Sequence, residues 1–167
     1  MEIRDLYDKN KRLTGKTIKA GEKIPKGNYI LVVLVMIRNS KGEFLIQKRS
    51  DGEDSLYGAT GGHCKSGETG VMGAITETKE ELGLKLKPEE LILLYDGRQD
   101  DTQVFYEVFY TQKDIEISKL KLQKEEVDFA QWMSVDEIKT LVDKSQFLEY
   151  HIDEIFKAIN ILEKREK

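Results

Sequence analysis

The sequence predicts an α/β or α+β sandwich, and three observations carry that prediction. Tyr29 to Arg38 is an almost unbroken apolar run, as expected of a strand buried on both faces. Val71, Ala74, Ile75, Thr78 and Leu82 form a stripe on the 3.6-residue period, which marks an amphipathic helix. Two further helical segments follow the last strand, so that strands are interrupted by one helix and closed by two.

The elements follow in order. Ile3 to Tyr7, a polar turn at Asp8-Lys9-Asn10-Lys11, and Arg12 to Ile18 form an N-terminal hairpin within about residues 1–20. Gly21 to Gly27, which includes Pro25, is a connector. After Tyr29–Arg38 the turn Asn39-Ser40-Lys41-Gly42 leads into a return strand, Glu43 to Arg49. Arg49 to Ser55 is a polar loop, followed by the glycine cluster Gly58, Gly61, Gly62 and Gly67. The first helix runs from about Thr69 to Leu82 and stops at Gly83, a residue suited to the left-handed conformation that ends helices. Later strands are expected at Glu90–Tyr95, Gln103–Tyr110 and Phe129–Met133. Helices then cover Val135–Val142 and about Phe147–Glu163.

Composition narrows the class. A chain of 167 residues, 39% hydrophobic and 35% charged, is long enough to bury a core as one domain, 1–167, without disulfides. No apolar run approaches the ~18–20 residues of a membrane span, and the N-terminus lacks a secretion signal. The one cysteine, Cys64, makes a reducing, cytoplasmic setting the default. A net charge of −4 offers no general attraction to nucleic acid or anionic membrane. A polyanionic substrate would therefore need a divalent cation as intermediary.

Glu77, Glu80 and Glu81 stand at i, i+3 and i+4 and share one helix face, ~100–130° from the apolar stripe at 100° per residue. Three carboxylates so placed repel one another. A hard, oxygen-seeking ion such as Mg²⁺ would relieve that repulsion, polarise a phosphate and lower the pKa of a water. Gly61-Gly62-His63 and Ser66-Gly67 lie just upstream, where a backbone without side chains can approach an ion or a phosphate closely. Taken alone, the helix is as well explained by an ordinary solvated charged face.

The glycines change that balance. Gly62 is followed after five residues by Glu68, and seven residues later comes Thr76-Glu77-Thr78-Lys79-Glu80-Glu81-Leu82-Gly83-Leu84. This segment resembles the Nudix box, the signature of pyrophosphohydrolases acting on nucleoside diphosphates linked to another group. Six of its seven singly specified positions match; Thr76 stands where the family has arginine. Tyr57 ahead of the glycines, and Glu126-Val127, Trp132 and Val135–Val142 after the box, also match the family, so the resemblance spans about Tyr29 to Val142. The hairpin and the Asp5–Thr14 pattern are similar to a subgroup related to isopentenyl-diphosphate isomerase.

The resemblance implies a Nudix α/β/α sandwich with a central mixed β-sheet. It implies Mg²⁺ (or Mn²⁺) held by Glu77, Glu80, Glu81 and the Gly62 carbonyl. Glu77 and Glu81 are the expected catalytic residues, with Glu77 the base and Glu125 or Glu126 its rivals. The expected substrate is a small nucleotide or other diphosphate, with Arg49 and Glu126 as substrate-binding residues. The family arginine is taken to orient the first catalytic glutamate; threonine offers a hydroxyl without charge and with less reach. A nucleotide sensor that binds without cleaving is the alternative that Thr76 keeps open. Isomerase chemistry is disfavoured, because the cysteine that those relatives place before Gly-His is Gly61 here and Cys64 follows the histidine.

Among the other residues, His63 and Arg49 have two readings each. His63 is a loop residue or a metal ligand, and Cys64 a bystander. Arg49 is a bidentate phosphate donor or a strand-end charge, and Trp132 belongs to the core. His151, without a partner nearby in sequence, is expected on the surface. The hairpin could pair between subunits and make a homodimer.

Overall fold

The computed structural model describes residues 1–50 and 56–166. Among the described residues, nine strands and three α-helices follow one another as β1 (Ile3–Tyr7), β2 (Leu13–Lys19), β3 (Ile30–Arg38), β4 (Phe44–Arg49), β5 (Tyr57–Gly58), β6 (Thr60–His63), α1 (Gly70–Leu82), β7 (Ile92–Gln99), β8 (Val104–Gln112), β9 (Val127–Met133), α2 (Val135–Asp143) and α3 (Glu149–Arg165). The polar loop expected at Arg49–Ser55 lies mostly outside the described residues.

β3 is the axis of the fold, as its apolar run requires. It pairs parallel with β8 along its whole length, Ile30 with Val104 through Arg38 with Gln112. On its other edge it pairs antiparallel with β6, Val32 with His63 and Val35 with Thr60. β7 closes antiparallel on β8, and β4 carries β9 and β5. The sheet is therefore mixed. β3 and β4, expected as a strand and its return, pair only at Arg38 and Phe44, beside their turn. Beyond that they part, because β6 and β8 take both edges of β3 while β4 turns to β9.

Successive β3 side chains point to opposite faces. Leu31, Val33, Val35 and Ile37 pack with Ala74 and Leu82 of α1. Leu34 and Met36 pack with Ile138 of α2 and with Ile155, Ala158 and Ile159 of α3. The result is an α/β/α sandwich.

The helix ends behave as their chemistry dictates. Thr69 caps α1 by accepting from Met72 N at 3.3 Å, and Gly83 ends it with φ 68°. Ser134 and Glu137 form a reciprocal capping box on α2. The N-terminal hairpin folds back on its own chain: Leu6, Ile18 and Ile30 form a small apolar cluster, and Tyr7 exchanges backbone hydrogen bonds with Tyr29. Among the described residues no helix is long and apolar enough to cross a membrane.

Candidate active site

Gly61 and Gly62, expected in a sharply turning segment, lie instead in a strand, whereas Gly67, with φ 87°, sits in the expected turn. β6 runs Thr60-Gly61-Gly62-His63 between β3 and α1. The absence of side chains at Gly61 and Gly62 is what makes this possible. A Cβ on Gly61 would run into the carbonyl of Val33, and one on Gly62 would lie 2.6–2.8 Å from the three carboxyl atoms of Glu77. The bare backbone thus lets Glu77 approach the strand from α1.

That approach overturns part of the helix-face reading. Glu77 and Glu81 are buried, at 8% and 4% exposure, and only Glu80 faces outward. The face 100° from the apolar stripe is covered by β6 and the end of β4 rather than by water. Glu81 accepts from Gln47 Nε2 at 3.1 Å and from Gly61 N at 3.4 Å, and Thr60 Oγ1 donates to Gln47 Oε1 at 3.1 Å. Glu80 pairs with Lys65 Nζ at 2.6 Å.

Burial, with the neighbouring charges of Glu81 and Glu80, pushes the Glu77 carboxyl up to about 8. Burial also lifts Glu81 to about 7, against the pull of its bonds from Gln47 and Gly61. Two buried acids, held near neutrality of charge only by retaining protons, form an oxygen-donor set that a hard divalent ion would suit. The chemistry of the residues fits Mg²⁺ or Mn²⁺. As placed, no three carboxylate, imidazole or thiol groups among the described residues converge on one point. Gathering all three glutamates on an ion requires Glu80 to leave Lys65.

Thr76, in the arginine position, donates to Glu68 Oε2 at 2.6 Å, while Glu68 Oε1 accepts from Lys65 N at 2.7 Å. The threonine thus holds the other conserved-spacing acid of the motif rather than Glu77. Asp5 of the hairpin clamps the same loop, accepting from Ser66 Oγ at 2.6 Å and from Gly67 N at 2.8 Å.

These groups open on a cavity of about 550 Å³, within the ~300–1,000 Å³ of pockets that enclose a whole small ligand. It lies where β3 and β4 part. Glu77, Glu80, Glu81, Gly62 and His63 line one end. Arg49 lines it too and donates to Tyr150 OH at 3.0 Å; Glu125 and Glu126 stand at its margin. The residues expected to hold metal, catalyse or bind substrate therefore border one cavity.

The others sort as follows. His63 is half-buried at the end of β6, its pKa lowered by burial and by Arg4. Cys64 is buried against Gly73, with burial pushing the thiol up to about 12, which suits a bystander. Trp132 packs against the core and donates to Ile115 O at 3.0 Å. His151 contradicts its surface reading. Its ring meets Tyr150 edge-on at 4.8 Å and its Nδ1 is shielded from solvent, because the first turn of α3 lies over Gly58. Sequence reasoning missed Gln47, the one uncharged polar residue in Phe44-Leu45-Ile46-Gln47, and missed Glu2, Arg4, Gln99, Tyr106 and Glu154, all of which line the cavity.

A family model described as the NUDIX domain matches residues 28–152. An uncharacterized Nudix hydrolase of Listeria monocytogenes is 33% identical over 165 residues, covering 96% of each chain. A Deinococcus radiodurans crystal structure superposes with a TM-score of 0.76 at 18% identity, covering 93% of this chain and 98% of that one. A Francisella tularensis bifunctional NMN adenylyltransferase/ADP ribose pyrophosphatase, complexed with AMP and a Mn ion, has a TM-score of 0.59 at 20% identity over 84% of this chain and 43% of that one. The fold and site define a protein with buried carboxylates at one end of a ligand-sized cavity, and the chain belongs to the Nudix hydrolase family.

Proposed function

We propose that this protein hydrolyses a phosphoanhydride bond in a nucleoside diphosphate-linked or similar small substrate. The observation that carries the reading is the buried Glu77–Glu81 pair, pressed against the bare backbone of Gly62 at one end of a ligand-sized cavity. Burying two acids this close costs stability unless something positive is bound there, so the arrangement is explained by function and not by folding.

Glu77, Glu80, Glu81 and the Gly62 carbonyl would hold Mg²⁺ (or Mn²⁺). When bound, the ion supplies charge neutralisation for the diphosphate and acidifies water. The chain does the rest. Glu77, whose carboxyl burial pushes up to about 8, would take a proton from the attacking water once ionised. Glu81 is held at both carboxyl oxygens, Oε2 by Gln47 and Oε1 by Gly61 N, which fixes its orientation. Arg49 at the cavity wall donates to phosphate oxygens, and Glu126 closes the margin as a substrate contact or rival base. The Thr76–Glu68 bond ties down the loop before α1 but does not reach Glu77, so a module that binds its nucleotide without cleaving it is the second reading. The whole chain, 1–167, acts as one Nudix unit in this reading: both the hairpin and α3, outside or at the edge of the matched span, supply cavity residues.

The test is phosphate release with Mg²⁺ from a panel of nucleoside diphosphate sugars, dinucleoside polyphosphates and nucleoside triphosphates. Glu80→Gln and Glu81→Gln should each lower kcat/KM by roughly 10²-fold or more, the scale of losing electrostatic stabilisation at a reacting centre. Turnover that survives both substitutions defeats the proposal.

A further inference from the structure

The motif residues account for one end of the cavity only. The other end is built from β7, β8 and α3, chiefly Gln99, Thr102, Tyr106, His151 and Glu154. None of these belongs to the phosphate-handling signature, and their chemistry differs from it.

Glu154 is a buried acid, 9% exposed, one turn after His151 on α3. One of its carboxyl oxygens accepts from Gln99 Nε2 at 3.0 Å, and Gln99 Oε1 in turn accepts from Thr102 Oγ1 at 3.1 Å. Tyr95 OH donates to the Glu154 carbonyl at 2.6 Å. The carboxyl is therefore held in one orientation by a relay through Gln99 at the end of β7 to Thr102 in the turn that follows, which is more than burial alone would need. His151 contributes a shielded Nδ1 with no hydrogen-bond partner among the described residues. Burial and the Arg49 charge hold its pKa down to about 4, so the ring is neutral and offers one donor and one acceptor. Buried polar atoms without partners are uncommon and call for an explanation. The basic residues that line the cavity are Arg4 and Arg49, and the Glu154 end adds negative rather than positive charge. A second phosphate would be repelled there, and an apolar chain would leave Glu154, Gln99 and His151 desolvated against it.

We propose that His151 and Glu154 are specificity-determining residues that receive a neutral, hydroxyl-bearing group of the substrate, such as a sugar carrying adjacent hydroxyls. The proposal rests on the diphosphate reading of the cavity's other end. The Glu154 carboxyl accepts from one hydroxyl, the His151 imidazole exchanges a hydrogen bond with its neighbour, and Tyr106 offers its ring as a wall. Substrates ending in phosphate or in a hydrocarbon chain are discriminated against.

Two measurements separate this from the hydrolase reading. Isothermal titration of the Mg²⁺-loaded protein is made with ADP-ribose and UDP-glucose, and with tripolyphosphate and geranyl diphosphate as the anionic and apolar comparators; turnover is measured alongside. At least one sugar diphosphate should bind tenfold or more tightly than either comparator. Glu154→Gln, which preserves shape and the Gln99 contact, and His151→Phe, which preserves ring volume, should each weaken that binding roughly tenfold and leave affinity for tripolyphosphate unchanged. Equal affinity across the four probes, no binding of either sugar diphosphate, or unchanged sugar affinity in both variants overturns the assignment. Discriminating binding without turnover upholds it and defeats the hydrolase. Turnover indifferent to both substitutions does the reverse.

Discussion

At Gly62 the missing side chain is filled by a neighbour: the Glu77 carboxyl lies where a Cβ would come within 2.6–2.8 Å of three of its atoms. A methyl group there must displace the carboxyl, since the strand is pinned on its other edge by β3. Gly62→Ala is expected to leave melting within a few degrees of the wild type, weaken Mg²⁺ binding roughly tenfold and lower kcat/KM on the order of 10²-fold, as sub-ångström misplacement at a reacting centre does. Titration with Mg²⁺ and steady-state rates check it; wild-type metal affinity would show that Glu77 does not depend on this close approach. The spacing of Gly62 to the glutamates was legible in the sequence, and so was the grouping of Glu77, Glu80 and Glu81, all of which line one cavity. Gln47 was not, because a glutamine between apolar residues and a lysine gives no sign that it will meet a glutamate 34 positions away.

Among the elements, the hairpin has the least obvious role. It lies outside the matched span of 28–152, yet Asp5 holds the β6–α1 loop by two hydrogen bonds, and Ser66 N donates to Ile3 O at 2.7 Å. Asp5→Ala removes both side-chain bonds while leaving the hairpin's apolar cluster intact. The expected cost is about 1 kcal/mol of stability, since the bonds are solvent-facing, together with faster amide exchange at Gly67. Exchange at Gly67 indistinguishable from the wild type would mean that the loop is held by its own Lys65–Glu68 turn. The hairpin itself and the three helices were legible because turn residues, caps and periodicity are local signals. β6 was not legible as a strand: Thr-Gly-Gly-His has weak strand propensity, and its pairing with β3 is a contact between segments some 30 residues apart, Val32 with His63.

For the molecule as a whole, the buried acids link stability to pH and to metal. Glu77 and Glu81 rise from a reference of 4.5 to about 8 and about 7. Folding therefore favours their protonated forms. The stability this contributes is complete below about pH 4.5 and is lost as pH climbs through 7 and 8. Tm of the metal-free protein should fall between pH 5 and pH 9, and Mg²⁺ should raise Tm more at pH 9 than at pH 5, because the ion binds the ionised carboxylates. A metal-induced Tm shift that is the same at both pH values would contradict this coupling. The Tyr29–Arg49 pair shows the limit of local reading at this scale. Both strands and their turn were legible, but their parting was not, because it follows from β6 and β8 occupying both edges of β3.

What the sequence by itself determined was the apolar axis β3, the capped helix α1 and the acidic, glycine-flanked motif, all of which depend on residues within a few turns or pleats of one another. Only the tertiary structure decided that Glu77 and Glu81 are buried, that Thr76 serves Glu68, and that His151 and Glu154 face the same cavity as the motif. Those facts depend on which segments close over a helix face. Burial, and the pKa shifts that come with it, is a property of the assembled neighbours and not of any residue's own position in the chain.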